Sequence, residues 1–243
     1  MTVRIAMWSG PRNISTAMMR AWENRVDTAV VDEPFYAYYL AETGLDHPGR
    51  DDVIAVQPAD WRTVVAGLTG PAPNDREIYF QKHMAQHLLP GMGRDWLRQV
   101  TNAILIRDPA EVVASYMQRR PGVSVDPEEL GYSQQMEILE RIATETGSPP
   151  PVLDARDVLE DPRRMLGLLC DAVGVPFTEA MLSWPPGRRA SDGVWAPHWY
   201  AAVEQSTGFA PYRASAAPLD PAWRPLAEAC APFYRRLHEV RLR

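Results

Sequence analysis

The sequence predicts an α/β fold, a mainly parallel sheet covered by helices on both faces. Short apolar runs of strand length alternate with segments whose apolar residues recur at helical spacing. Charged or polar residues follow several of those runs, at the strand ends where such a sheet binds its ligands: Arg12, Glu33, the pair Lys82 and His83, and Arg107. The 243 residues suffice for an α/β core, and no repeat or low-complexity linker divides them, so a single domain over 1–243 is expected.

Residues 3–8 (VRIAMW) read as a buried strand. Residues 15–22 have helical spacing, with Asn13 or Ser15 able to cap. Residues 28–31 (TAVV) form a second strand, ending at Asp32-Glu33-Pro34, and 35–42 form a helix. The Gly-, Pro- and Asp-rich stretch 43–60 reads as a loop. A short helix over 61–68 precedes a third strand over 78–80, which runs into Gln81-Lys82-His83. Residues 102–106 (NAILI) form the fourth strand; Asp108 then suits an N-cap and Pro109 the first helical position, with the helix reaching 118. An amphipathic helix over 133–146 and a fifth strand over 152–154 follow. Gly174 and Pro176 close a helix over 162–173, residues 183–197 read as a loop, and 223–240 carry a helical apolar stripe.

Composition narrows the function. A net charge of −6 argues against a broad nucleic-acid surface. No run approaches the roughly 18 apolar residues of a membrane helix, and no signal-peptide core follows the first residues. Cys170 and Cys230 are too few for a disulfide framework, so the cytoplasm is the expected compartment. His83 and His87 stand four apart without the glutamate of a zinc-binding H-E-x-x-H, and no metal is expected. Of 25 basic residues Lys82 is the only lysine, a compact ammonium in a chain that otherwise uses arginine.

The stretch MWSGPRNISTAMMRAW, residues 7–22, passes from strand through tight loop to helix. Such a junction receives anions through free backbone N–H groups and the helix dipole. It is P-loop-like, but the Gly-Lys pair of nucleoside-triphosphate loops is absent from Gly10-Pro11-Arg12-Asn13-Ile14-Ser15-Thr16. A plain helix cap beside a surface arginine is the other reading of these residues.

SGPRNISTAM resembles the 5′-phosphosulfate loop of PAPS-dependent sulfotransferases, with Asn13 and Ile14 where that family has Ser-Gly. LIRDPAEVVASY, residues 105–116, resembles the same family's 3′-phosphate motif, in which an arginine and a serine eight positions later grip the phosphate; here they are Arg107 and Ser115. DARDVLEDPRRM, residues 154–165, resembles a structural strand-to-helix segment of the family. PPGRRASDGVW, residues 185–195, resembles its late Arg- and Gly-rich loop and offers Arg188 and Arg189 to the nucleotide, though a solvated basic turn reads the same way. WAPHWYAAVEQSTGF, residues 195–209, resembles a signature of a small bacterial and plant group of the family.

The resemblance implies a P-loop-NTPase-like three-layer sandwich. It implies in-line transfer of a sulfuryl group from PAPS to a hydroxyl or amine of a small-molecule acceptor, leaving PAP and needing no metal. Arg12, Asn13, Ile14, Ser15 and Thr16 would hold the 5′ side, with Arg12 and Lys82 as cations facing the developing charge. Glu33 and His83 compete for the role of general base. QKHMAQHLLP resembles a family stretch in which the histidine comes two residues after the lysine; here it comes one after, which on a strand turns it to the other face and favours Glu33. Phe35, Tyr36, Tyr38 and Tyr39 could hold an acceptor or simply pack a helix on the sheet. A PAP-binding protein without transfer activity and a P-loop kinase or NTPase are the alternatives. No nucleic-acid or membrane partner is expected, and Trp223, Phe233 and Leu237 leave the last helix able to pack on the sheet or on a second copy as a homodimer.

Overall fold

The computed structural model describes residues 2–120, 122–214 and 218–243. Five strands, β1 (Val3–Ser9), β2 (Thr28–Asp32), β3 (Ile78–Met84), β4 (Thr101–Ile106) and β5 (Val152–Asp154), form one sheet in the order β2-β3-β1-β4-β5. Every pairing is parallel. Parallel strands are covered on both sides, which is why they read as apolar runs. On one face Ile5, Met7, Phe80 and Leu105 pack with Met18, Met19 and Trp22 of α1 (Ser15–Glu23) and with Met165, Leu166 and Leu169 of α8 (Pro162–Val173). The Trp22 and Phe80 rings stack with centroids 5.2 Å apart. On the other face Ala6, Trp8, Tyr79 and Ile104 meet α4 (Trp61–Thr69), α6 (Tyr132–Thr146) and Leu237 of α11 (Arg224–Glu239). The result is a three-layer α/β sandwich.

The remaining helices are α2 (Tyr36–Thr43), α3 (Arg50–Val56), α5 (Pro109–Arg119), α7 (Ala155–Glu160), α9 (Ala196–Trp199) and α10 (Ala201–Glu204). Asp108 caps α5, accepting from Ala110 N at 2.8 Å, and Gly174 closes α8 in the left-handed conformation. The last helix packs on its own chain: Cys230 and Leu237 are buried, and Tyr234 Oη donates to Asp154 Oδ2 at 2.8 Å. Cys170 and Cys230 are both free and buried. Among the described residues no helix is long and apolar enough to cross a membrane, and no group of His, Cys, Asp and Glu could hold a metal ion.

Three local expectations are corrected. The stretch 43–60 is not all loop: α3 starts after Gly49 in the left-handed conformation, carries Asp51 and Asp52 in its first turn and buries Val53. β3 extends past Phe80 to Met84 because tertiary partners accept its polar residues. Neither Asn13 nor Ser15 caps α1; Ile14 holds that position without a side-chain hydrogen bond. Asn13 instead pins the loop, donating from Nδ2 to Leu105 O at 3.0 Å and accepting from Ile14 N at 2.9 Å.

After β1 the chain leaves toward the β2 edge, and after β4 toward the β5 edge. The crevice at such a switch point is where open parallel sheets bind ligands.

Candidate active site

A cavity of about 330 Å³ opens beyond the carboxyl ends of the strands. The loop after β1 lines it from Pro11 to Ala17, Glu33 comes from the end of β2, Lys82 from β3 and Arg107 from the end of β4. Tyr200, Val203, Ser206 and Phe209 form the opposite wall, and Tyr36, His47, Met84, His87 and Tyr116 line the rest.

At the β1–β4 side, Arg12 and Arg107 are brought together. Arg12 has φ +56°, a left-handed conformation that non-glycine residues seldom hold. Its carbonyl accepts from Arg107 Nη1 at 2.8 Å, and its Nε donates to Ser115 Oγ at 3.1 Å. Ser115 stands behind Arg12 and is not itself in the cavity wall. Arg107 is partly neutralised by Glu111 at 2.9 Å, which Tyr212 Oη also reaches at 2.7 Å. Among the described residues no carboxylate forms an ion pair with Arg12. Burial, then the charges of Arg119 and Arg107, lowers its affinity for its own proton. With no side-chain cap on α1, the first-turn N–H groups remain available beside these two cations. This half of the cavity is built for an anion.

At the β2–β3 side, charge is cancelled internally. Asp32 and Lys82 are register partners on adjacent strands. The Lys82 ammonium donates to Asp32 Oδ1 at 2.8 Å, Glu33 Oε1 at 2.6 Å and Tyr200 Oη at 2.8 Å. Those three bonds engage all three of its protons. Tyr200 Oη donates to Asp32 Oδ2 at 2.7 Å, and Gly193 N and Trp195 Nε1 close the network at 3.3 and 3.2 Å. Burial opposes the ammonium, but Asp32, Glu33 and Tyr200 outweigh it and hold Lys82 protonated well above its ordinary range. Burial pushes the Glu33 carboxyl up, with Lys82 pulling it back only in part. Glu33 also has positive φ, +42°, immediately before Pro34, so two of the residues singled out from sequence sit in strained backbone.

His83 is on the other face of β3 from Lys82. Its ring stacks on Trp8 at 4.3 Å and faces Phe35 at 5.5 Å, with Nε2 paired to Gln81 Oε1 at 3.2 Å. It is fully buried and does not line the cavity, and burial lowers its pKa to about 3. His83 was expected as a candidate base, and the fold sets it apart from the cavity that Glu33 lines. Lys82 was expected as a cation toward transferred charge; it lines the cavity with its protons engaged by Asp32, Glu33 and Tyr200. Arg188 and Arg189 are likewise outside the cavity wall: Arg188 is exposed, and Arg189 folds onto Pro185 O at 3.0 Å. Their loop is held instead by Asp192, whose buried carboxylate pairs with Arg20 of α1 at 2.6 Å.

Sequence reasoning missed Asp32, Tyr200, His47, His87 and Tyr116. The lone lysine was the available signal for the first two, since a buried ammonium needs carboxylates and Asp32 adjoins Glu33. His87 and Tyr116 lie within the stretches 81–90 and 105–116, but nothing local marks them as facing a cavity, and His47 comes from a separate segment.

A family model described as a sulfotransferase domain matches residues 3–240. The chain belongs to the sulfotransferase domain family. Among solved structures, this sulfotransferase domain superposes on the sulfotransferase domain from the curacin biosynthetic pathway with TM-score 0.55 at 14% identity, covering 95% of this chain and 98% of that one. A sulfotransferase from Alicyclobacillus acidocaldarius gives TM-score 0.55 at 12% identity, covering 99% and 96%. These likenesses show the fold. In sequence, the chain is 37% identical over 205 residues to branched-chain-amino-acid aminotransferase-like protein 1 of Arabidopsis thaliana, and 33% identical over 233 residues to protein 2 of that name. The matches cover 84% and 96% of this chain but only 36% and 41% of those proteins. The sulfotransferase domain is thus similar to a part of longer proteins, and their names describe the whole.

Proposed function

We propose that the chain, acting as one domain, transfers a sulfuryl group from PAPS to a hydroxyl or amine of a small-molecule acceptor. The observation that carries this reading is the contact between the two motifs: Arg12 bonds Ser115 at 3.1 Å while Arg107 bonds the Arg12 carbonyl at 2.8 Å. Two motifs far apart in sequence thereby present two guanidiniums and a bare helix N-terminus to one cavity. Those groups fit a nucleotide with phosphate on both sides of its ribose: residues 12–16 for the 5′-phosphosulfate and Arg107 for the 3′-phosphate, with Ser115 bracing Arg12 from behind. PAPS would supply the activated sulfuryl group.

The chain's own residues would do the rest. Arg12, without a counterion of its own, stabilises negative charge that develops on the departing phosphate. Glu33, raised by burial and lining the cavity, takes the acceptor's proton. Lys82 bridges Glu33 and Asp32 and orients Glu33, so its part is positioning.

Calorimetric titration with PAP and with ADP tests the nucleotide reading, since the two differ by the 3′-phosphate among other groups. PAP is expected to bind more tightly, and Arg107→Ala to weaken PAP about ten- to a hundredfold while changing ADP little. Equal binding of the two nucleotides, or equal losses on substitution, would remove the 3′-phosphate site and the PAPS reading with it.

A further inference from the structure

His87 is a buried titratable group that the mechanism above does not use. It lies just past β3, 2% exposed, and lines the cavity. Its ring is clamped in a stack, with Tyr36 at 5.0 Å and Tyr39 at 4.7 Å. Neither of its ring nitrogens has a hydrogen-bond partner among the described residues, and Nδ1 is wholly sealed. Nδ1 is closed to any ligand, so Nε2 is the ring atom that a molecule in the cavity could complete. Burial, then His47 and Lys82, keeps it neutral, so Nε2 offers a single hydrogen bond and no charge, as donor or acceptor according to the tautomer.

The charges around this end are already answered. Asp32 and Glu33 share Lys82. Arg120 is held by Glu129 at 3.7 Å and by Tyr116 Oη at 3.0 Å, and it does not line the cavity. His47 is tied to Tyr36 Oη at 2.9 Å, and burial lowers its pKa to about 4. A charged acceptor would lose its hydration here without meeting a free counterion. The apolar body of an uncharged one would find Met84 and the rings of Tyr36 and Tyr116.

We infer that His87 is the specificity residue of the acceptor end, hydrogen-bonding the hydroxyl of an uncharged acceptor whose apolar part lies against Met84, Tyr36 and Tyr116. This rests on the sulfuryl-transfer reading of the same cavity. It predicts selection by charge among compounds of one shape.

The test uses the PAP-saturated chain and three probes: 4-ethylphenol, tyramine and 4-hydroxyphenylacetate, which carry the same phenol with no charge, a positive charge and a negative charge. Expected is binding of 4-ethylphenol about tenfold or more tighter than either charged analogue, with a shift of the His87 ring nitrogen signals in nitrogen-15 spectra. His87→Phe keeps the stack and removes the nitrogens; it should weaken 4-ethylphenol about tenfold and leave PAP binding unchanged. His87→Gln, which restores a donor and an acceptor, should recover part of that loss. Tighter tyramine binding would assign recognition to the carboxylates, and tighter 4-hydroxyphenylacetate binding to Arg120; either overturns the inference, as would an unshifted His87 signal. Failure of PAP to outbind ADP in the untreated protein is a separate result and strikes the nucleotide reading instead.

Discussion

The two halves of the cavity handle charge in opposite ways. Beyond β1 and β4 the chain gathers Arg12 and Arg107 and leaves Arg12 with a hydroxyl and, among the described residues, no carboxylate partner. Beyond β2 and β3 it gathers two carboxylates and answers them with an ammonium, a tyrosine and a backbone N–H. One half leaves a guanidinium without a carboxylate among the described residues. In the other the charges pair with one another. The contrast is what assigns binding to one half and positioning to the other in the function proposed above, because both halves contain cations.

Removing Lys82 should disturb this arrangement most. Lys82→Met leaves Asp32 and Glu33 buried side by side without a cation, and an expected loss of about 3–5 kcal/mol in urea denaturation at neutral pH follows. Without the ammonium Glu33, already raised by burial, loses the charge that pulls it back and is raised further in the folded state. The stability it contributes is then present at low pH and lost as pH rises through the folded value, so the variant should recover toward the parent on acidification. A parallel loss at every pH would mean that Lys82 matters only for packing.

Glu33→Gln tests whether the satisfied half does chemistry. It keeps the shape and one hydrogen-bonding oxygen toward Lys82. PAP affinity should stay within about twofold, while turnover with PAPS and any working acceptor falls by about a hundredfold or more. Unchanged turnover would leave the cavity with nucleotide binding and no base at this position.

The smallest effect on function is expected at His83. His83→Leu should leave nucleotide affinity and turnover unchanged in the folded protein. It should also flatten the acid side of the stability profile. His83 has a folded pKa of about 3 against an ordinary 6.5, so the unfolded chain takes up its proton first and stability falls as pH drops from about 6.5 toward 3, by roughly 1 kcal/mol per pH unit. Leucine removes that contribution. A large loss of turnover would return His83 to the chemistry.

Much of this was legible beforehand for a physical reason. Buried parallel strands must be apolar on both faces, so residues 3–8, 28–31 and 102–106 announced themselves, and Asp108-Pro109 marked a helix start by local hydrogen bonding alone. The same local logic failed where local signals conflict with distant partners. The polar residues 81–83 hid the second half of β3, and α3 was masked by the glycine and aspartates that in fact begin it.

The sequence by itself determined the alternation of strands and helices, the strand-to-helix loop at residues 10–16, the Arg107 to Ser115 spacing and the alternation that separates Lys82 from His83. These depend on backbone periodicity and on residues near one another in the chain. Only the tertiary structure decided that Asp32, Glu33 and Tyr200 would engage every proton of Lys82, that Arg12 would lean on Ser115, and that His87 rather than His83 would face the cavity. Those outcomes depend on which strand ends the order β2-β3-β1-β4-β5 sets side by side, and on a segment near residue 200 folding back across them. Ionic and hydrogen-bonded partners are chosen by distances of about 3 Å in space, to which separation along the chain gives no guide.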